Sequence, residues 1–151
     1  MKDKIIQNIS LYLYPGARIV LGLVFIYASY DKLLHPAAFA KIIYNYQILP
    51  NELINLSAIF LPWLELATGC LLLSGVWLPG SVFISNVLLI LFFCVLIYNK
   101  ARGLDISCGC FSTSSKSISY SNLYIIRDAA FIIIANYLFI KVFISPTSSA
   151  K

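Results

Sequence analysis

Charge is what this chain has least of. Only 11% of its 151 residues are Asp, Glu, Lys or Arg and 60% are hydrophobic, whereas an average soluble domain carries about 25% charge. That imbalance excludes a water-soluble globule and points to segments that lie in a bilayer. Histidine is scarcer still, with His35 alone; a structural zinc takes about four ligands, so no metal site is expected. Basic residues outnumber acidic ones by 11 to 6, but they are scattered at the ends of apolar runs. A scattered distribution leaves no footprint for nucleic acid and suits anchoring at lipid headgroups. A cleavage site is missing too. Met1-Lys2-Asp3-Lys4 imitates the start of a secretory signal, yet Arg18 interrupts the apolar region and no small-x-small triplet follows before Tyr30-Asp31-Lys32. The N-terminal segment is therefore expected to be retained. No internal repeat is visible, and the only biased stretch is a short serine-rich loop.

What the chain does have is long apolar runs, and they predict an all-α, multi-pass membrane domain. The first span is expected at about Gly16 to Leu34, closed by Asp31-Lys32 and His35-Pro36. Residues Phe39 to Asn51 mix Tyr with apolar residues and read as an interfacial segment lying along the membrane surface. A second span at about Leu53 to Trp77 contains Pro62 and Glu65, so a kink or a local opening is expected there. Pro79-Gly80 is read as the turn into a third span, about Ser81 to Tyr98. A polar loop at 103–119 precedes a fourth span, about Tyr120 to Phe143. Four spans in one domain give an up-down-up-down four-helix bundle with both termini on one face and the two long connections on the other. The Lys/Arg bias of the loops does not orient it, because Lys2, Lys4, Arg18, Lys141 and Lys151 face Lys32, Lys41, Lys100, Arg102 and Lys116 across the bundle.

The one feature with obvious chemistry is Cys108-Gly109-Cys110, in the polar loop. An extended tripeptide holds its end Cα atoms at about 7 Å, the limit of disulfide geometry, so a bridge requires the turn that Gly109 permits. A disulfide closing so small a ring is strained and relatively oxidising, as catalytic rather than structural bridges are. Lys100 and Arg102 would favour the thiolate. A passive loop disulfide is the competing reading. Of the other cysteines, Cys94 lies roughly 6 Å below the loop face and Cys70 about 25 Å from it at the helical rise. Cys94 is thus a candidate relay to the pair, set against its commoner use as a buried apolar filler.

Inside the second span Glu65 is costly unless paired or protonated. Arg127 on the fourth span, with Asn86 on the third, is the expected partner set. Proton handling or quinone binding near the redox loop is one reading of these residues, and polar glue between helices is the other. Arg18, Asp31, Lys32 and Asp128 fall near predicted helix ends, where snorkelling accounts for them.

Several stretches carry a resemblance to a known family. They are Ala17-Arg18 with Gly22-Leu23-Val24-Phe25, Asp31-Lys32-Leu33, Leu61-Pro62-Trp63-Leu64-Glu65-Leu66 with Gly69, Gly103 to Phe111 around the cysteines, and Arg127-Asp128. Over about residues 15–140 the chain resembles the DoxX-like membrane proteins, in particular their MauE branch of methylamine utilisation. The resemblance implies a four-helix redox-associated membrane protein that works with a thioredoxin-like partner in forming disulfides in the small subunit of methylamine dehydrogenase. It also implies cytoplasmic termini, which place Cys108 and Cys110 on the extracytoplasmic side of the cell membrane, where disulfides persist. Ser112 departs from the glycine with which that family continues Cys-Gly-Cys-Phe. Two functions fit: a thiol-disulfide oxidoreductase, or a non-enzymatic assembly factor whose disulfide only shapes the loop.

Overall fold

The structure, a computed structural model, describes residues 2–102 and 121–144, with side chains over 12–102 and 125–144. Among the described residues the chain folds into α1 (Lys2–Leu34), α2 (Pro36–Tyr46), α3 (Asn51–Ser74), α4 (Leu78–Ala101) and α5 (Ser121–Phe143). Three stretches, Tyr12–Leu34, Asn51–Ser74 and Leu78–Ala101, are long and apolar enough to cross a membrane. Each is at least about 34 Å long at the helical rise, against about 30 Å for a hydrocarbon core. The all-helical membrane character read from composition is thus present.

Local chemistry sets the breaks. Pro36 disfavours helical geometry in the residue before it, so α1 stops at Leu34 and His35 takes φ −126°, ψ 58°. Pro36 then opens α2, where its missing N–H costs nothing. α3 ends at Gly75, whose φ of 76° is the left-handed cap that glycine takes without strain; its N–H donates to the Leu71 carbonyl at 3.0 Å. The turn therefore consists of Gly75-Val76-Trp77. Pro79 and Gly80, read from sequence as that turn, instead lie in the first turn of α4. The reason is the same tolerance of proline at a helix start.

The segment read as interfacial is itself a helix. Residues 36–46 form a helix whose Phe39 and Ile43 pack on Ile54 and Ala58 of α3 in a core of their own. α2 returns the chain along the N-terminal half of α3. At its far end Arg102, just after α4, donates to the Tyr46 carbonyl at 3.1 Å and to Gln47 Oε1 at 2.9 Å.

The main core joins the other four helices through Leu21 and Phe25, Leu72, Val82 and Leu88, and Ala135 and Leu138. α1 lies closest to α3. A Cβ built on Gly69 would sit 2.9 Å from the Gly22 carbonyl oxygen, so the two backbones touch where both residues lack side chains. Small residues are the usual means of close approach between helices in lipid. The outer surface is apolar, with Leu23, Trp63, Val87 and Ile133 all exposed, as lipid contact requires.

Candidate functional site

Close packing of α1 on α3 carries the last turn of α1 into the interior. Lys32 is 1% exposed, as is Glu65. The Lys32 ammonium donates to both carboxylate oxygens of Glu65, at 2.5 and 2.8 Å. It also lies over two rings, 4.8 Å from the centroid of Phe92 and 5.2 Å from that of Phe39. Cation–π contacts of this kind are strongest when desolvated. Glu65 stands roughly 21 Å along α3 from Asn51 at the helical rise, well inside the span. An isolated charge there would be costly; a bidentate ion pair with aromatic faces around the cation offsets much of that cost.

A cavity of about 30 Å³ adjoins the pair, walled by Lys32, Glu65, Phe92, Asp128 and Phe131 among others. It has room for one or two waters. Asp128 on α5 is 6% exposed and accepts from Arg127, at 2.9 Å from Nε and 2.8 Å from the terminal nitrogen. An amine and two carboxylates, drawn from α1, α3 and α5, thus face one water-sized space, with Phe92 of α4 closing it. Such a set can hold a proton and pass it through a bound water.

Two sequence expectations change here. Glu65 is held by Lys32, not Arg127, because the break at His35-Pro36 leaves Lys32 deep in the bundle instead of at its surface. Arg127 ion-pairs with its neighbour Asp128. Asn86 serves neither: its amide donates to Val82 O at 2.9 Å and to Ala135 O at 3.1 Å, tying α4 to α5. Cys94 and Cys70 are both exposed, so Cys94 is not the buried filler weighed against a relay. Cys108 and Cys110 lie outside the described residues. Sequence reasoning passed over Lys32 and Asp128 as interfacial. The missed signal follows Pro36, where Phe39, Ile42, Ile43 and Tyr46 recur at i, i+3, i+4 and i+7, the period of a further buried helix.

Helices that cross a membrane and converge on a buried ion pair define a polytopic membrane protein with a polar centre. The chain belongs to the family described as methylamine utilisation protein MauE, which it matches over residues 10–141. It is 33% identical over 118 residues to methylamine utilization protein MauE of Paracoccus denitrificans, covering 77% of this chain and 61% of that one. To the protein of the same name from Methylorubrum extorquens it is 33% identical over 90 residues, 59% of this chain and 48% of that one. With the Methylophilus methylotrophus protein, also named MauE, it shares 29% over 115 residues, 76% and 60% of the two chains. The matched region thus spans about half to three-fifths of these relatives' length. No solved structure matches the chain.

Proposed function

We propose that this chain is a four-span membrane protein that supports disulfide formation through Cys108 and Cys110, in the context of methylamine utilisation. The observation that carries the reading is the Cys-Gly-Cys motif in a chain of the MauE family. The bundle runs up-down-up-down with α5 as the fourth span, and the cysteine loop faces the extracytoplasmic side. In the working cycle a thiolate of a reduced thioredoxin-like protein attacks the Cys108–Cys110 disulfide and forms a mixed disulfide. Its second thiolate resolves that bond, so the partner leaves oxidised and the pair is left as a dithiol. Two electrons and two protons must then leave the pair before the next turn. Maturation of methylamine dehydrogenase is the process this would serve. Cys94, on α4 below the loop, is a third thiol to examine as a relay.

Trapping tests the cycle. With Cys110→Ala or Cys108→Ala in cells, one variant should accumulate a mixed disulfide with a thioredoxin-like protein, seen as a reductant-sensitive band. Full function with both cysteines replaced by serine would sink the redox reading and leave an assembly factor. Cys94→Ser slows reoxidation of the pair if the relay operates and leaves it unchanged otherwise.

A further inference from the structure

Beside the ion pair, on the other side of two aromatic rings, lies a second and larger cavity of about 310 Å³ between α2, α3 and α4. Phe39 and Phe92 belong to its wall, and these are the two rings on which the Lys32 ammonium rests. The rest of the wall is largely apolar, with buried Ile43 and half-buried Leu61 set in it and exposed Leu91, Ile48 and Leu49 at the rim. Its size falls within the range of about 300–1,000 Å³ usual for small-molecule sites, which pair apolar walls with very few polar groups.

Two side chains in the wall carry hydroxyls, Tyr46 and Ser57, and Ser57 is the one set in a membrane-spanning helix. Serine and threonine in a helix ordinarily satisfy their hydroxyls on a carbonyl one turn back. Ser29, Thr68, Ser74, Ser81 and Ser85 all do so in this structure. Half-buried Ser57 makes no such bond among the described residues, and it lines the cavity. A plain hydrocarbon chain would leave that donor unused. An acceptor on a flat ring would take it up and stack against Phe39 or Phe92. The positive end of the Lys32–Glu65 pair lies against the same two rings, a potential that favours an electronegative headgroup over a bare tail.

We propose that this pocket binds the ring of a membrane-soluble quinone, with the Ser57 hydroxyl donating to a ring carbonyl. The proposal deepens the reading above, because reoxidation of the dithiol needs a two-electron acceptor and a membrane quinone is one. The dithiol gives up two electrons and two protons and becomes a disulfide, while the quinone takes them up as quinol. That role rests on the redox reading; the binding does not.

The test separates the two. Full-length protein in detergent, wild type and Cys108→Ser/Cys110→Ser alike, is titrated with decylubiquinone, and decylbenzene serves as the competitor with a tail and ring but no carbonyl. Saturable one-to-one binding is expected in both proteins, with decylbenzene a poor competitor. Ser57→Ala should weaken binding about tenfold, the effect of one hydrogen bond, and Ser57→Thr should retain it. Leu61→Trp should fill the cavity and abolish binding. Absence of saturable binding by folded wild-type protein overturns the proposal. So does equal competition by decylbenzene with no effect of Ser57→Ala, which would make the cavity a groove for lipid tails. Because the serine variant lacks the reactive thiols, failure to bind leaves the trapping result standing, and failure to trap leaves the binding result standing.

Discussion

At the scale of single residues, the decisive contact is between Lys32 and Glu65. Removing one member of a buried ion pair strands the other charge, which typically costs about 3–5 kcal/mol, whereas replacing both with apolar groups of similar volume is often neutral. Lys32→Met and Glu65→Gln should therefore each destabilise the protein by an amount in that range, read by denaturant or thermal unfolding in detergent. The double variant Lys32→Met/Glu65→Leu should recover most of the loss. Singles as stable as the wild type would show that the pair does not bridge α1 and α3. The double variant also divides structure from function: if it folds and yet cannot support disulfide formation, the pair acts in proton handling as well as packing. That Glu65 needs a partner was legible from its place in an apolar run. Which partner was not, because Lys32 lies near the end of an apolar run, where snorkelling accounts for a lysine, and only the packing of α1 on α3 carries it inside.

At the scale of elements, that packing depends on two glycines and a proline. Gly22 and Gly69 set the distance between α1 and α3, and a side chain at either would meet backbone or the neighbouring Ile26 and Leu73. Gly69→Leu should push the helices apart and cost at least about 1–3 kcal/mol, as overpacking does elsewhere. It should also lower the yield of a disulfide engineered between α1 and α3 at residues in contact in the wild type. Unchanged stability and cross-linking would show that the crossing is looser than the structure has it. The apolar runs made α1, α3 and α4 readable in the sequence, since lipid demands about 20 apolar residues per span whatever the tertiary contacts. α2 was not readable in the same way. At 11 residues it is too short to cross alone, and its Tyr-rich end has the composition of an interface. Only the contact of Phe39 and Ile43 with α3 shows that it fills a place within the bundle. The missed helix walls the larger cavity, because Phe39, Ile43 and Tyr46 line the space that Ser57 faces, and it brings Phe39 over Lys32.

For the whole molecule, the number of crossings turns on α5. α5 is 23 residues long, packs along α4 and α1, and contributes Ala135 and Leu138 to the same core as Leu21 and Leu72. Its packing on those helices and the Arg127–Asp128 ion pair near its start support the four-span bundle proposed above. The proposed bundle puts the connection between α4 and α5 on the face opposite both termini, and loop charge does not say which face is cytoplasmic because five cations lie on either side. Impermeant thiol labelling of intact cells resolves it, using one cysteine at a time in a chain otherwise stripped of them. A cysteine at Ser115 should label from outside, and cysteines at Lys2 and Ser149 should label only after permeabilisation. If Ser115 and Ser149 label from the same face, α5 does not cross. If all three positions are reversed, the bundle crosses four times but presents Cys108 and Cys110 to a reducing cytosol, where a stable oxidising disulfide would not persist.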